Sequence, residues 1–583
     1  MKKIVLRENK NENLAKDIAS NLNLDLDMVQ YLVNCGMGEE EIKYLTTEKY
    51  IDIDIKIANL NKGVRKLMDY LAEDNLTIYI RSDYDSDGMN AAYIAKSILD
   101  IVGELLELNL TTVILDVDRS DKYGINKKDC LKIINDKSKN KLVMILDNGI
   151  TKASCTDYLY KYDIESIIID HHMPREAKDV PNNGSIVIDP FFNDTKNEEA
   201  KGLCGAALTY FFFKQLMIEL GDTSDFMENY IANAAIATIT DCMPNTKTNI
   251  SLVANGMKRI NNKESSPAIN YYAVNTGKIK LIPKDVAFEL GPQLNACGRM
   301  HDVKLAIDYL FEEDNWKIDE LYSSIKSLNE KRKNIEKSTM KVIDNYIDAS
   351  DKIIMAILED NNDGILGSLA GKLMAKYNKP VILFCRESDG LLSGSARSIS
   401  PVNLHELFTQ DKVKDYIKSF GGHAQAAGIS IEEKDFNNLK EALNETIRKN
   451  KHLDLEEINK NKIVEVDKIV DLSYINQPNL HKQQNIVFFN DLKEPILLIP
   501  NVKINSTRTS TNPENICFNM TDDSVKLNCY KKGKEIWIWG FTSNYEKMGS
   551  PENVHLIGRL SSMFSGPTLD VIEMLDADKV KIL

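Results

Sequence analysis

The chain has 583 residues, too many for one hydrophobic core, so about two to four domains are expected. Its hydrophobic fraction of 43% and charged fraction of 27% are ordinary for globular proteins, and a net charge of −14 argues against a protein that coats nucleic acid non-specifically. A local basic channel remains compatible with that charge, as does a site crowded with carboxylates. Met1-Lys2-Lys3-Ile4 leads into Glu8 and Asn9 rather than an apolar core, no window approaches the ~18 apolar residues of a membrane span, and the nine cysteines form no C-x-x-C pair. A reduced, cytoplasmic protein without a membrane anchor, zinc site or disulfide framework is therefore expected.

In chain order, residues 1–75 read as an N-terminal helical segment of short helices with polar joints. Residues 76–313 alternate apolar runs with helical periodicity: "LTIYI" (76–80), the helix "AAYIAKSILDIV" (91–102), then "TTVILDV" (111–117), "KLVMILD" (141–147), "SIIID" (166–170) and "SIVIDP" (185–190). Such runs separated by helices predict an α/β domain whose parallel strands are buried on both faces. Residues 314–349 form one long charged helical stretch, of the kind that bridges domains. Strands and helices resume over 350–450, predicting a second α/β domain. After the polar linker Arg448–Lys462, residues 463–583 alternate short strands with turn residues, predicting an all-β, OB-like barrel.

Four apolar runs of the first domain end in polar residues. "IYIRSDYDSDGM" places Asp83, Asp85 and Asp87 after one run, and three carboxylates at that spacing repel unless metal, phosphate chemistry or solvent offsets them. "LDNGI" ends in Asp147, "IIIDHHMP" in Asp170, His171 and His172, and "ATITDCMP" in Asp241. Open α/β sheets bind ligands beyond the carboxyl ends of their strands, so these residues should converge at one edge. Taken singly, each has a plainer reading: a surface turn, a calcium loop, a helix cap. An EF-hand is rejected, because the twelfth loop position counted from Asp83 is Ile94 rather than Glu. Taken together, carboxylates with one or two imidazoles suit Mn²⁺ or Mg²⁺, and two such ions would suit hydrolysis of a phosphate ester or anhydride.

The order "DYDSDG", "LDNGI", "DHHMP", "ATITDCMP" also resembles the motifs of the DHH phosphoesterase superfamily. "VDRSDKYGIN", "GLCGAALTYFF", "LGPQLNACGRM", "GSARSIS" and "FGGHAQAAGISI" are similar to its RecJ-like branch of single-strand exonucleases. The resemblance covers roughly residues 25 to 450 and is weak in the tail, where only "NDLKEP" (490–495) matches. It implies a DHH-type parallel-sheet domain, a connecting helix, a DHH-associated domain and an OB-like domain.

The same resemblance implies two divalent ions, Mn²⁺ or Mg²⁺, held by Asp85, Asp87, Asp147 and Asp241, with Asp147 bridging and His171 completing the second ion's sphere. Asp83 would be an additional carboxylate that binds metal or orients a ligand. His172 would touch the scissile phosphate or share a ligand role, and Asp170 would fix a histidine tautomer. Arg119, Ser395 and Arg397 would grip a terminal 5′-phosphate, Arg299 would line the strand's path, and His423 would face the active site. The activity implied is 5′→3′ hydrolysis of single-stranded DNA to nucleoside 5′-monophosphates in repair, recombination or replication. The chain would act as a monomer, with single-strand-binding protein or a helicase as partners. Two alternatives are a phosphodiesterase of short oligoribonucleotides or dinucleotides, and a non-catalytic scaffold of a replication or repair complex. The chain departs from the branch at Ser82, Asn148, Thr240 and Gln293, none of which is an implied ligand.

Overall fold

A computed structural model describes residues 3–47, 50–51, 53–117, 124–174, 177–193, 196–222, 226–348, 350–358, 363–387, 390–400, 402–449, 463–509, 515–521, 536–541, 545–546, 548–563, 566–580 and 582. The chain opens with a short strand, β1 (Lys3–Leu6), followed by the helices Glu12–Leu22, Leu26–Asn34, Glu39–Thr46 and Leu60–Leu71. Strand β1 departs from the helical reading of this segment. A four-residue strand cannot be recognised without its partner, which is β12 (Ile463–Val466), paired parallel with it from the far end of the chain. Arg7 extends the contact with an ion pair to Asp467 at 2.6 Å.

The first large domain is built on β2 (Leu76–Ser82), β3 (Leu110–Ile114), β4 (Asn140–Leu146), β5 (Glu165–Ile169) and β6 (Ser185–Ile188). These strands are parallel and ordered β3-β2-β4-β5-β6. Every residue of β2 is buried, as its unbroken apolar run requires of a central strand covered on both faces. One face packs the helices Ser86–Leu105, Gly205–Glu219 and Leu60–Leu71; the other packs Lys127–Asn135 and Ala153–Tyr160. The chain leaves β2 for β3 on one side and later returns to β4 on the other. The crevice where strand order reverses therefore opens between the carboxyl ends of β2 and β4.

The helix Ile231–Thr240 is buried along nearly its whole length, and its small residues let the helix Lys247–Asn262 approach closely. A Cβ on Gly256 would stand 2.2 Å from that of Ala235. The helix Asn315–Asp344 has 30 residues, about 45 Å at 1.5 Å per residue. Its first half buries Ile318, Tyr322 and Ile325 in the core of the first domain, and its last turns place Ile343 in the second. Between them Glu336 is fully buried and accepts from Arg332 at 2.6 Å, with Ser368 and Lys372 also bonded to it.

The second domain orders β10 (Ser419–Gly422), β11 (Ala426–Glu432), β9 (Leu391–Arg397), β8 (Val381–Arg386) and β7 (Ile354–Leu358) in one sheet. Only β7 and β8 pair in parallel. The C-terminal region is mainly β, departing from the all-β expectation by the helix Gln477–Gln484: β13 (Lys468–Ile469), β14 (Leu497–Thr509), β15 (Asn515–Thr521), β16 (Ile536–Phe541), β17 (Asn553–Met563) and β18 (Gly566–Asp576), ordered β16-β15-β14-β17-β18 with β13 on β14. The ends of that path, β16 and β18, come back into contact, curling the sheet toward a barrel. Among the described residues no helix is long and apolar enough to cross a membrane.

Candidate metal centre

The carboxyl edge of the first sheet gathers the polar residues that end its apolar runs. Asp83 and Asp147 follow β2 and β4 directly, and so flank the switch point; Asp170 and the two histidines follow β5. Asp241 arrives as the residue that ends the helix Ile231–Thr240. Three sets of ligand atoms lie within 4.8 Å of one another: Asp83, Asp85 and Asp147; Asp87, His171 and Asp241; Asp147, His171 and His172. His171 Nε2 is 3.1 Å from Asp147 Oδ1, 3.6 Å from Asp87 Oδ2 and 3.7 Å from Asp241 Oδ2.

Backbone amides hold Asp85, Asp87 and Asp170. Asp85 caps the helix Ser86–Leu105, accepting from the N–H groups of Asp87 at 3.0 Å and Gly88 at 3.2 Å. Asp87 accepts from Gly205 N at 2.8 Å and Ala206 N at 2.7 Å, so it sits on the N-terminus of the helix Gly205–Glu219. That end of the helix carries positive partial charge and offsets part of the local repulsion. Asp147 has φ 60°, a left-handed conformation that aspartate tolerates better than most residues. Asp170 accepts from Ile150 N at 2.9 Å and from the N–H groups of His171 and His172 at 2.8 and 3.2 Å. It also meets His172 Nδ1 at 2.8 Å.

Electrostatics set the site apart from an ordinary polar surface. Burial, then the charges of Asp87, Asp85, Asp83 and Asp241, pushes the Asp147 carboxyl well above the usual carboxylate range. Burial and the charges of Asp87 and Asp85 do the same to Asp241, and burial with Asp87 raises Asp85. These groups cannot all ionise side by side without a compensating cation. Asp147 Oδ1 is buried and has no hydrogen-bond donor among the described residues. Oxygen and imidazole donors in this number fit a hard or borderline divalent ion.

His171 is lowered by burial and by His172, which favours the neutral imidazole that ligates metals. Burial opposes protonation of His172, yet the hydrogen bond and charge of Asp170 raise it to about 9. Burial likewise disfavours the Asp170 anion, but both histidines outweigh it and hold that carboxyl below its ordinary value.

A cavity of about 440 Å³ runs from the centre to the second domain, lined among others by Asp85, Asp241, Arg299, Gly367, Ser395 and Arg397. Arg299 donates to Gly364 O at 3.1 Å, and Arg397 to Ser395 Oγ at 3.0 Å. The domains touch where a Cβ on Gly364 would stand 2.0 Å from Arg299 O. His423 is exposed beside the β10–β11 turn and is not among the residues that line this cavity. From the glycine-rich stretch Gly428 lines the cavity, paired with Ser395 across β11 and β9. Arg119 lies outside the described residues.

Four further residues support the site without being legible in the sequence as individual site residues. The amides of Gly205 and Ala206 hold Asp87, and a Cβ on Gly205 would stand 2.5 Å from that of Asp147. Asn295 accepts from Ser86 N at 2.7 Å, locking the first turn of the helix behind Asp85. Asp189, after β6, is buried and raised to about 8 by burial and by Asp170. The glycines of "GLCGAAL" and "NACGRM" are the signals the sequence offers for this support. A Cβ on Gly298 would stand 2.0 Å from Tyr84 O.

Residues 77–243 match the DHH family, N-terminal domain, and residues 350–449 match the DHHA1 domain. A protein of Haemophilus influenzae named single-stranded-DNA-specific exonuclease RecJ is 27% identical over 429 residues, covering 70% of this chain and 73% of that one. Among solved structures, RecJ of Thermus thermophilus in complex with Mn²⁺ superposes with a TM-score of 0.77 at 19% identity, over 98% of this chain and 79% of that one. The Mg²⁺ complex of the same protein gives 0.72 at 18% identity, over 99% and 79%. At those identities the structures establish a shared fold.

Proposed function

We propose that this RecJ-like chain, with its DHH domain followed by a DHHA1 domain, is a metal-dependent exonuclease that hydrolyses single-stranded DNA from the 5′ end. The observation that carries the reading is the convergence of Asp83, Asp85, Asp87, Asp147, His171 and Asp241 on one buried edge where their ionisation requires a cation. Asp83, Asp85 and Asp147 would hold one divalent ion, and Asp87, His171 and Asp241 the other, with Asp147 close enough to His171 to serve both. Bound there, the ions would neutralise phosphate charge and lower the pKa of a coordinated water.

The chain's own groups do the rest. Asp170 fixes His172 through Nδ1 and favours its protonated form, which leaves Nε2 to donate to a phosphate oxygen. Arg397 and Ser395, bonded to each other across the cavity from the metal centre, would hold a terminal 5′-phosphate and so set the polarity. Arg299 would line the entry. A cavity of about 440 Å³ falls in the ~300–1,000 Å³ range of small-ligand pockets, a size that suits a terminal nucleotide. One chain carries both ligand groups and the cavity, so a single copy suffices. Every implied ligand position is filled, which disfavours the scaffold reading. With Mn²⁺, purified protein should degrade 5′-phosphorylated single strands and spare the duplex of the same sequence; sparing both would end the proposal.

A further inference from the structure

The loop that carries Asp241 is closed by a segment from far along the chain. Residues 485–492 leave the helix Gln477–Gln484 and cross onto the first domain before entering β14. Ile486, Phe488, Phe489 and Leu492 are buried in the same core as Ile236 and Ile239 of the helix Ile231–Thr240. Val487 N donates to Leu45 O at 3.2 Å.

At the end of this run, Asn490 Nδ2 donates to Thr238 O at 3.1 Å and to Met243 O at 2.7 Å, three residues before Asp241 and two after it. Asn245, two residues beyond Met243, returns the contact. Its Nδ2 donates to Phe489 O at 3.1 Å, and its Oδ1 accepts from Asp491 N at 3.0 Å and Leu492 N at 3.1 Å. The loop itself leaves the helix through Cys242 at φ 56°, held locally by Asp241 N on Ala237 O and Met243 N on Thr238 O. The two asparagines fix where that exit points.

We propose that Asn490 and Asn245 are positioning residues for Asp241, so that the segment leading into the C-terminal β region completes the metal centre. The proposal rests on the reading of Asp241 as a metal ligand. Groups that orient ligands are worth about 10–100-fold in metal affinity. Asn490 itself has φ 47°, so Asn490→Gly keeps the left-handed backbone and removes only the side-chain donors.

The test is Mn²⁺ binding to the full chain, followed by calorimetry and by the electron paramagnetic resonance of free Mn²⁺, beside the thermal melt of each variant. Asp241→Ala is the reference and should lose one ion. Asn490→Gly and Asn245→Ala should each bind that ion about tenfold more weakly, keep the other unchanged and melt as the wild type, and the double variant should be no worse than either alone. Wild-type affinity in Asn490→Gly, with one ion lost in Asp241→Ala, would overturn the inference and leave the functional reading standing. Wild-type affinity in Asp241→Ala would overturn the functional reading itself. If Asn490→Gly does not fold, Asn245→Ala carries the same test from the other side of the contact. Unfolding of both would show that the contact holds the fold rather than the ligand, and would also overturn the inference.

Discussion

The carboxylate of Asp87 is held by the first two amides of a helix more than a hundred residues away, Gly205 N at 2.8 Å and Ala206 N at 2.7 Å. Two lone pairs of Asp87 are thereby committed, and Gly205 is pressed against Asp147 so closely that a Cβ would lie 2.7 Å from Asp147 Oδ1. The helix start is therefore part of the metal centre.

Gly205→Ala should displace Asp147 or Asp87 rather than unfold the chain, since overpacking typically costs about 1–3 kcal/mol. Because misplacing a reacting group by about 1 Å can cost 10²-fold, nuclease activity should fall by about that factor, with a native circular dichroism spectrum. An activity within twofold of wild type would show that the helix start is mere packing.

That relationship also marks where sequence reading stops. The five apolar runs of the first sheet and their polar ends are readable because a buried parallel strand has a composition of its own, and the Asp83, Asp147 and Asp170-His171-His172 endings lie next to those runs. Contacts that depend on distant backbone are not readable in that way. Nothing local says that Gly205 N serves Asp87, that β1 pairs with β12, or that Asn490 reaches the Asp241 loop.

Asp147→Asn should abolish activity and at the same time stabilise the metal-free protein. Asparagine tolerates the left-handed backbone as aspartate does, and the change removes one of several mutually repelling buried carboxylates. A gain of about 0.5–2 kcal/mol, read as a higher melting temperature in chelator, is the size common for removing functional strain. A lower melting temperature would mean that the cluster is already compensated without metal.

Metal binding should be linked to protons with a definite sign. Asp85, Asp147 and Asp241 have folded pKa values above their unfolded ones, so in chelator the folded protein holds protons the unfolded chain has released. Their contribution to stability is therefore lost as pH rises above about 4 and through the raised values. Mn²⁺ should bind more weakly at pH 6 than at pH 8 and should release protons on binding. Calorimetry in two buffers of different ionisation enthalpy reads that release; identical heats in both would contradict it.

Chelation should leave the fold standing. The cores of the first domain are apolar and do not include the ligand carboxylates, so removal of metal should abolish activity with the far-ultraviolet spectrum unchanged. A cooperative unfolding transition on chelation would show that the ions support the sheet.

Arg397→Ala should mainly erase the preference for a 5′-phosphorylated end. Its guanidinium lies beside Ser395 and Gly367, away from the proposed ligands. KM for a 5′-phosphorylated strand should rise toward that for a 5′-hydroxyl strand, by about tenfold or more, as expected for losing a charge-assisted contact worth about 1.5–3 kcal/mol. Loss of Mn²⁺ binding in this variant would place the arginine at the metal centre instead.

Product analysis on single strands labelled at one end tests the account most directly. With Mn²⁺, a 5′-labelled strand should lose its label at once as the nucleoside 5′-monophosphate, a 3′-labelled strand should shorten through a ladder, and Asp147→Asn should do neither. Early release of the 3′ label, internal cuts, or degradation that survives Asp147→Asn would contradict it.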